Sequence, residues 1–319
     1  MKRKASLSLD LDNQWSYMKT HGDSGWESFP SYLDVVVPRI LEMLQERDLK
    51  ITFFVVGQDA ALEKNHEALR LITEAGHEIG NHSFHHEPWL HLYSEEQVHE
   101  ELQQAEDAIQ NATGVRPNMF RGPGFSLSPD VLRVLKQRNY LFDASIMPTY
   151  LGPLARAYYL RTAKLEGEER AKRAKLFGTW RQGLEPVKPY LWELEGEHLL
   201  EIPVTTMPWF KLPFHLSYVL FLSTYSSWLA SFYFRTAVRF CRMARFGPSL
   251  LLHPLDFLSA EDVQGLEFFP GMKMPLEKKL QRVGHYLDLY AAAFEVLPMG
   301  EFAQSLTQSS YGPLSKRKL

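Results

Sequence analysis

The sequence predicts an α/β fold built on a parallel sheet or barrel. Three observations carry that expectation. Stretches with strand character alternate with stretches of helical period through the first 145 residues, the order that parallel strands with crossover helices require. One strand candidate, ITFFVVG at 51–57, is apolar on both faces, as a strand covered on both sides must be. The chain has 319 residues, 45% hydrophobic and 23% charged, which suits a large core and excludes a disordered or collagen-like chain.

Taken in order, residues 5–11 alternate apolar and polar side chains and read as the first strand. Residues 13–31, rich in Gly, Ser, Trp and Asp, read as a long loop over its end. Apolar residues at 33, 36, 37, 40, 41 and 44 predict a helix over 32–48, and 51–57 follows as a buried strand. A helix over 65–75 stops at Gly76. HEIGNHS at 77–83 is a short strand entering a loop. Ser-Glu-Glu-Gln from Ser94 is a capping box that opens a helix to about 111. Strands over 118–121 and 141–145 flank a helix over 128–138 that Ser-Pro-Asp introduces.

The pattern changes near 150. Residues 150–198 carry mixed charge, notably EGEERAKRAK at 166–175, and read as an exposed helical insertion. Strand character returns at 199–207. Residues 212–234 contain no Asp, Glu, Lys or Arg, and Arg235, Arg239, Arg242 and Arg245 then follow on one helical face. A strand over 249–254 and a helix and strand over 276–297 complete the chain. The expectation is one domain over 1–319 with a helical insertion at 150–198 and an apolar and basic helical segment at 212–246.

Net charge is −3, so there is no global basic footprint for nucleic acid. Cys241 is the single cysteine, so no internal disulfide forms, which suits a reducing compartment. The start, MKRKASLSLDLDN, is basic but lacks the apolar run of a signal peptide, and a cytoplasmic location is expected.

The chemistry-bearing residues concentrate at strand ends. His82 and His86 stand at i and i+4 in NHSFHH, directly after a strand. Two imidazoles so spaced can reach one ion, and Asp12 from the first strand would complete a two-nitrogen, one-oxygen set with open positions. Asp10 lies on the same strand face as Asp12. Taken alone, HxxxH is as often a solvated loop as a metal site.

At this point the sequence resembles the polysaccharide deacetylases, carbohydrate esterase family 4, which have a NodB-homology domain. SLDLDN at 8–13, HSFHH at 82–86, FRGPGF at 120–125, FDAS at 142–145 and LLLHP at 250–254 resemble that family's five motifs in order. The resemblance implies a deformed (β/α) barrel and a metal-dependent hydrolase that removes an acyl group, acetyl foremost, from the nitrogen of an amino sugar. It implies Asp12, His82 and His86 as ligands of one divalent ion, zinc first, then cobalt or nickel. It implies Asp10 as general base, oriented by Arg121, and His253 as the acid that protonates the leaving amine, biased toward imidazolium by Asp143. Backbone N–H groups near Gly124 and Phe125 are expected to face the developing oxyanion, and Trp15 to line the substrate mouth. The chain departs from the usual pattern: Leu11 separates the two aspartates, Gly122 and Gly124 replace bulkier residues, and no Trp follows the fourth motif.

Two alternatives remain open: a related amidohydrolase, such as a deformylase of polyprenyl-linked sugars or a cyclic-imide or ureide hydrolase, and a catalytically weak carbohydrate-binding relative. The 212–246 segment bears on the substrate's form. In length 212–234 could span a ~30 Å bilayer at ~1.5 Å per residue. Spanning would put His253 and Asp12 on opposite sides, so a packed or in-plane helix pair is expected. That pair would serve as a peripheral contact with the inner membrane face and admit a lipid-linked sugar.

Overall fold

The computed structural model describes residues 2–152, 183–308 and 313–319. Strand β1 (Arg3–Leu11) is the axis of the sheet. On one edge it is followed by β2 (Thr52–Val55), β3 (Glu78–Asn81), β4 (Met119–Phe120) and β5 (Phe142–Asp143), all parallel. β6 (Tyr190–Leu194) and β7 (Glu197–Glu201) form an antiparallel hairpin, and β7 runs parallel to β5. β8 (Ser249–Leu252) pairs with the other edge of β1. Past β7 the backbone closes the ring: Ile202 N–H donates to Asp143 O, Val204 N–H to Ile146 O, and Thr205 N–H to Ser249 O. The result is the deformed (β/α) barrel of the NodB-homology type. β9 (Phe294–Leu297) supports the lower half of β1, and β10 (Lys316–Lys318) edges β6.

Helices cover the barrel. α1 (Gln14–His21) and α2 (Leu33–Gln45) follow β1, and α3 (Gly57–Ala60) and α4 (His66–Glu74) follow β2. α5 (Glu95–Thr113) follows β3 with the expected capping box at Ser94, and α6 (Pro129–Gln137) follows β4. α7 (Leu216–Tyr225) and α8 (Ser227–Met243) make a hairpin before β8, while α9 (Leu276–Ala293) and α10 (Met299–Gln308) flank β9. The main core lies between β1, β2, β8 and the inner faces of α2, α8 and α9, with Leu7, Leu9, Val36, Ile40, Phe53, Phe234 and Tyr286 fully inside.

Register sets the site. Leu11 pairs with Val55, Val55 with Asn81, Asn81 with Phe120 and Phe120 with Asp143. On the other edge Leu9 pairs with Leu252. The residues just beyond these pairs, Asp10, Asp12, His82, Arg121 and His253, therefore sit on one rim, at the carboxyl ends of parallel strands.

Several sequence expectations change. Residues 14–21 are helix, not loop, because Asn13 caps them and Gly22 ends them with φ 86°. The segment 166–175 lies outside the described residues. Of the expected helical insertion at 150–198, residues 153–182 lie outside the described residues, and 183–198 contribute a 3-10 turn at 183–184, β6 and the start of β7. The β6–β7 turn is Glu195–Gly196 with φ 46° and 95°, the left-handed pair of a two-residue hairpin. The basic stripe loses Arg245, which lies beyond the end of α8. No helix among the described residues is long and apolar enough to cross a membrane.

Candidate active site

Asp12, His82 and His86 come together as expected, each offering one donor atom within 4.8 Å of the others. Asp12 Oδ1 stands 2.9 Å from His86 Nε2 and 3.3 Å from His82 Nε2. His82 Nδ1–H donates to Arg121 O at 2.6 Å, which leaves Nε2 to face Asp12 as the ligand nitrogen. Burial acts to raise Asp12, yet the charge and hydrogen bonds of His86 and His82 hold it well below the usual carboxylate range. Burial acts to lower His82, and Asp10 and Asp12 overcome it and push it up. A site that draws a proton onto a buried imidazole in this way also favours a cation there. His86 Nδ1 is buried without a hydrogen bond. Two imidazole nitrogens and one carboxylate oxygen fit a divalent ion of the zinc type.

The loop that carries both histidines is tightly held. Ser83 and His86 adopt left-handed φ of 62° and 53°. Glu101, buried on α5, accepts N–H donations from Phe84 and His85 at 2.9 and 2.7 Å, and its second oxygen meets His85 Nδ1 at 2.7 Å. Asn13 fixes the other side. Its Oδ1 accepts from Gln14 and Tyr32 N–H, and its Nδ2 donates to Asp59 and Ser31. Tyr32 OH donates to Asp12 O at 2.6 Å, and Tyr17 OH approaches the Asp12 side chain without closing a full hydrogen bond.

Arg121 lies fully buried beside this set. Its Nη1 donates to Asp10 Oδ1 at 2.6 Å and to Ser8 Oγ at 3.0 Å, and its Nε donates to Ala144 O at 3.1 Å. The guanidinium carbon sits 4.3 Å from the Phe54 ring centroid. The strand after Arg121 turns sharply at Gly122, where a Cβ would lie 2.2 Å from Ser126 O.

Three expected roles are corrected. Asp143 does not serve His253. Its carboxylate accepts from Ser145 Oγ at 2.6 Å and lies beside Glu201, and burial pushes both acids up. Ser145 Oγ accepts in turn from Gly122 N–H at 2.7 Å, so Asp143 braces the Arg121 turn. Phe125 N–H donates to Gly122 O at 3.0 Å and is not free for an oxyanion. Gly124 and Phe125 both have left-handed φ, 58° and 61°, and Gly124 is exposed against Pro88. Trp15 does not line the mouth. It is buried, donates to Asp59 Oδ1 at 2.9 Å, and packs edge-on to His86 with ring centroids 6.4 Å apart.

His253 has partners that sequence reasoning missed. Ser217 Oγ, on α7, lies 3.0 Å from its Nδ1, and its backbone N–H donates to Asp256 Oδ2 at 2.9 Å. Ser217 also approaches the Asp256 carboxylate without closing a full hydrogen bond to Oδ1. Lys279, fully buried on α9, donates to the carbonyls of Leu255 and Leu258 and so clamps the turn behind His253. The only sequence signal for Asp256 was its place three residues after His253; Ser217 gave none.

A family model described as Polysaccharide deacetylase matches residues 22–142. That stretch holds His82, His86 and Arg121, and the fold brings Asp10, Asp12 and His253 to them from outside it. A peptidoglycan-N-acetylglucosamine deacetylase of Bacillus cereus is 29% identical over 104 residues, 33% of this chain and 37% of that protein. A peptidoglycan-N-acetylmuramic acid deacetylase of Bacillus subtilis is 31% identical over 110 residues, 34% of this chain and 41% of that protein. The chain thus spans about two fifths of the length of these curated relatives. A crystal structure of a protein assigned to the polysaccharide deacetylases, from Mycobacterium smegmatis, superposes with a TM-score of 0.64 at 19% identity, over 98% of this chain and 93% of that one.

Proposed function

From a chain whose residues 22–142 match the polysaccharide deacetylase family model, on a NodB-type barrel, we propose a metal-dependent hydrolase that removes an acetyl group from the nitrogen of an amino sugar. One observation carries the reading: Asp12, His82 and His86 converge on one rim with the Asp10–Arg121 pair and His253.

Asp12, His82 and His86 would hold the ion, zinc suiting this donor set first and cobalt or nickel next. Bound there, a divalent ion supplies Lewis acidity to the attacking water and to the amide carbonyl. Asp10, held by Arg121, takes the proton from that water. His253, fixed through Nδ1 by Ser217, delivers a proton to the departing amine from its other nitrogen. The exposed turn at Gly124 lies open to the sugar. A lipid-linked form of that sugar, and work in the cytoplasm at the inner face of a membrane, belong to the same proposal.

The test is acetate release by the purified chain, with added zinc or cobalt, from N-acetylated glycan oligomers, peptidoglycan fragments and lipid-linked N-acyl sugars. Turnover that vanishes on chelation supports the reading. A folded, metal-loaded protein that releases no acetate or formate from any of them overturns it, and retained glycan binding would then identify a carbohydrate-binding relative. Release of formate alone would identify a deformylase.

A further inference from the structure

The α7–α8 hairpin points to an interaction surface. Its two helices are joined at Ser226, and α7 begins beside the middle of α8: Tyr233 OH donates to Pro213 O at 2.7 Å, and the Phe214 and Phe234 rings meet at 6.2 Å. Ser217, at the start of α7, touches His253 on the catalytic rim. The tip between Tyr225 and Trp228 therefore stands off from that rim by the length of α7, ~15 Å at ~1.5 Å per residue.

The tip is apolar and open to solvent. Tyr225 is 76% exposed, Trp228 74%, Phe232 57% and Leu229 46%. Trp228 and Phe232 stack at 5.7 Å. Along α8 an exposed stripe runs through Trp228, Phe232, Arg235, Arg239 and Arg242, at spacings of 4, 3, 4 and 3, with Ser227, Leu229 and Met243 exposed beside it. Aromatic side chains occupy its first half and arginines its second. The opposite face, with Ala230, Phe234, Ala237, Val238 and Cys241, is buried in the core. The stripe is thus not needed to hold the helix in place.

Charge identifies what covers it. Between Glu201 and Asp256 the chain has five basic residues, Lys211, Arg235, Arg239, Arg242 and Arg245, and no acidic one, although its net charge is −3. Among the described residues the four arginines have no acidic partner. Exposed Trp, Tyr and Phe followed within two turns by Arg match the depth profile of a lipid surface, with ring side chains below the phosphates and guanidinium groups among them. We propose that this hairpin docks the protein on an anionic lipid bilayer, tip first, without crossing it. The docking needs no assumption about the reaction at the rim.

The test is flotation of the full chain with vesicles of phosphatidylcholine alone and with about a third phosphatidylglycerol. Binding is expected only to the anionic vesicles, with a blue shift of tryptophan fluorescence, and is expected to weaken with salt. Trp228→Ser with Phe232→Ser should abolish it. Arg239→Glu with Arg242→Glu should weaken it at least ~fivefold per position. All four positions face solvent, so circular dichroism should stay unchanged. Failure to bind anionic vesicles, equal binding to neutral ones, or variants that bind as the parent does would each overturn the proposal. Concentration-dependent dimers that the Trp228 and Phe232 changes dissolve would overturn it too, in favour of a second copy as the occupant.

Discussion

Arg121 holds Asp10 at 2.6 Å with both side chains buried, reaching it from just past β4, 111 positions along the chain. Neither residue is well placed without the other. A buried charge that loses its partner is strongly disfavoured, whereas a pair removed together is not. Arg121→Met should lower folding stability by about 3–5 kcal/mol in denaturant unfolding. Arg121→Met combined with Asp10→Asn should recover part of that loss, and a double variant no more stable than the single one would show that the guanidinium acts through its other bonds, to Ser8 and Ala144.

Asp12, His82 and His86 should bind one divalent ion per chain, which elemental analysis of reconstituted protein measures directly. His82→Ala should lose it. Zinc at a hundredfold above its dissociation constant should add about 2.7 kcal/mol to unfolding stability, and the gain should vanish in His82→Ala. A parent protein that zinc leaves unmoved would contradict the assignment.

For the acid–base pair, Asp10→Asn should keep the metal and lose turnover by ~10²–10⁴. Ser217→Ala should lose roughly tenfold, the worth of one hydrogen bond, with folding unchanged and partial rescue by Ser217→Thr. The His253 ring resonances, followed by NMR, should move in Ser217→Ala, which removes the contact to Nδ1, and stay in place in Asp143→Asn. The reverse pattern would restore Asp143 to the role its place in the sequence suggested.

His77 gives a pH signature unrelated to the site. Burial, with the Lys50 charge, drives it from 6.5 down to about 4, and its Nδ1 accepts from Ile51 N–H at 3.1 Å. The unfolded chain therefore binds a proton near pH 6.5 that the folded chain refuses until about pH 4. Stability is full above 6.5, falls as the pH drops through that window, and loses nothing more from this group below it. His77→Gln, which can still accept from Ile51, should flatten that part of the stability profile; an unchanged slope would assign the loss to carboxylates instead.

Asp10, Asp12, His82 and His86 were legible because they follow strands that the apolar pattern marks, whereas Arg121 and His253 were reached only through the resemblance to the deacetylase motifs. The metal set gained from the i, i+4 spacing of His82 and His86. What escaped was held by partners far along the chain. Residues 14–21, QWSYMKTH, carry no apolar stripe, and the helix there depends on Asn13, which Asp59 fixes from 46 positions on. The hairpin of β6 and β7 had its signal in Glu195–Gly196, hidden among charges that suggested helix. Asp143 meets Ser145 and, across the β5–β7 pairing, Glu201, a neighbour 58 positions on that nothing around Asp143 in the sequence announces.

α7 has its first turn on His253 and its last on the exposed tip, with Ser217 3.0 Å from His253 Nδ1 and Tyr225 in solvent. A single helix of ten residues behaves as a stiff rod, so the two ends move together. A surface that captures Trp228 and Phe232 grips the far end of this lever, and a tilt there displaces the hydroxyl that sets the imidazole. Proton delivery would then answer to the footing of the protein as well as to the sugar in its mouth. Turnover of one soluble substrate, with and without vesicles, would read that coupling as a change in kcat at constant KM.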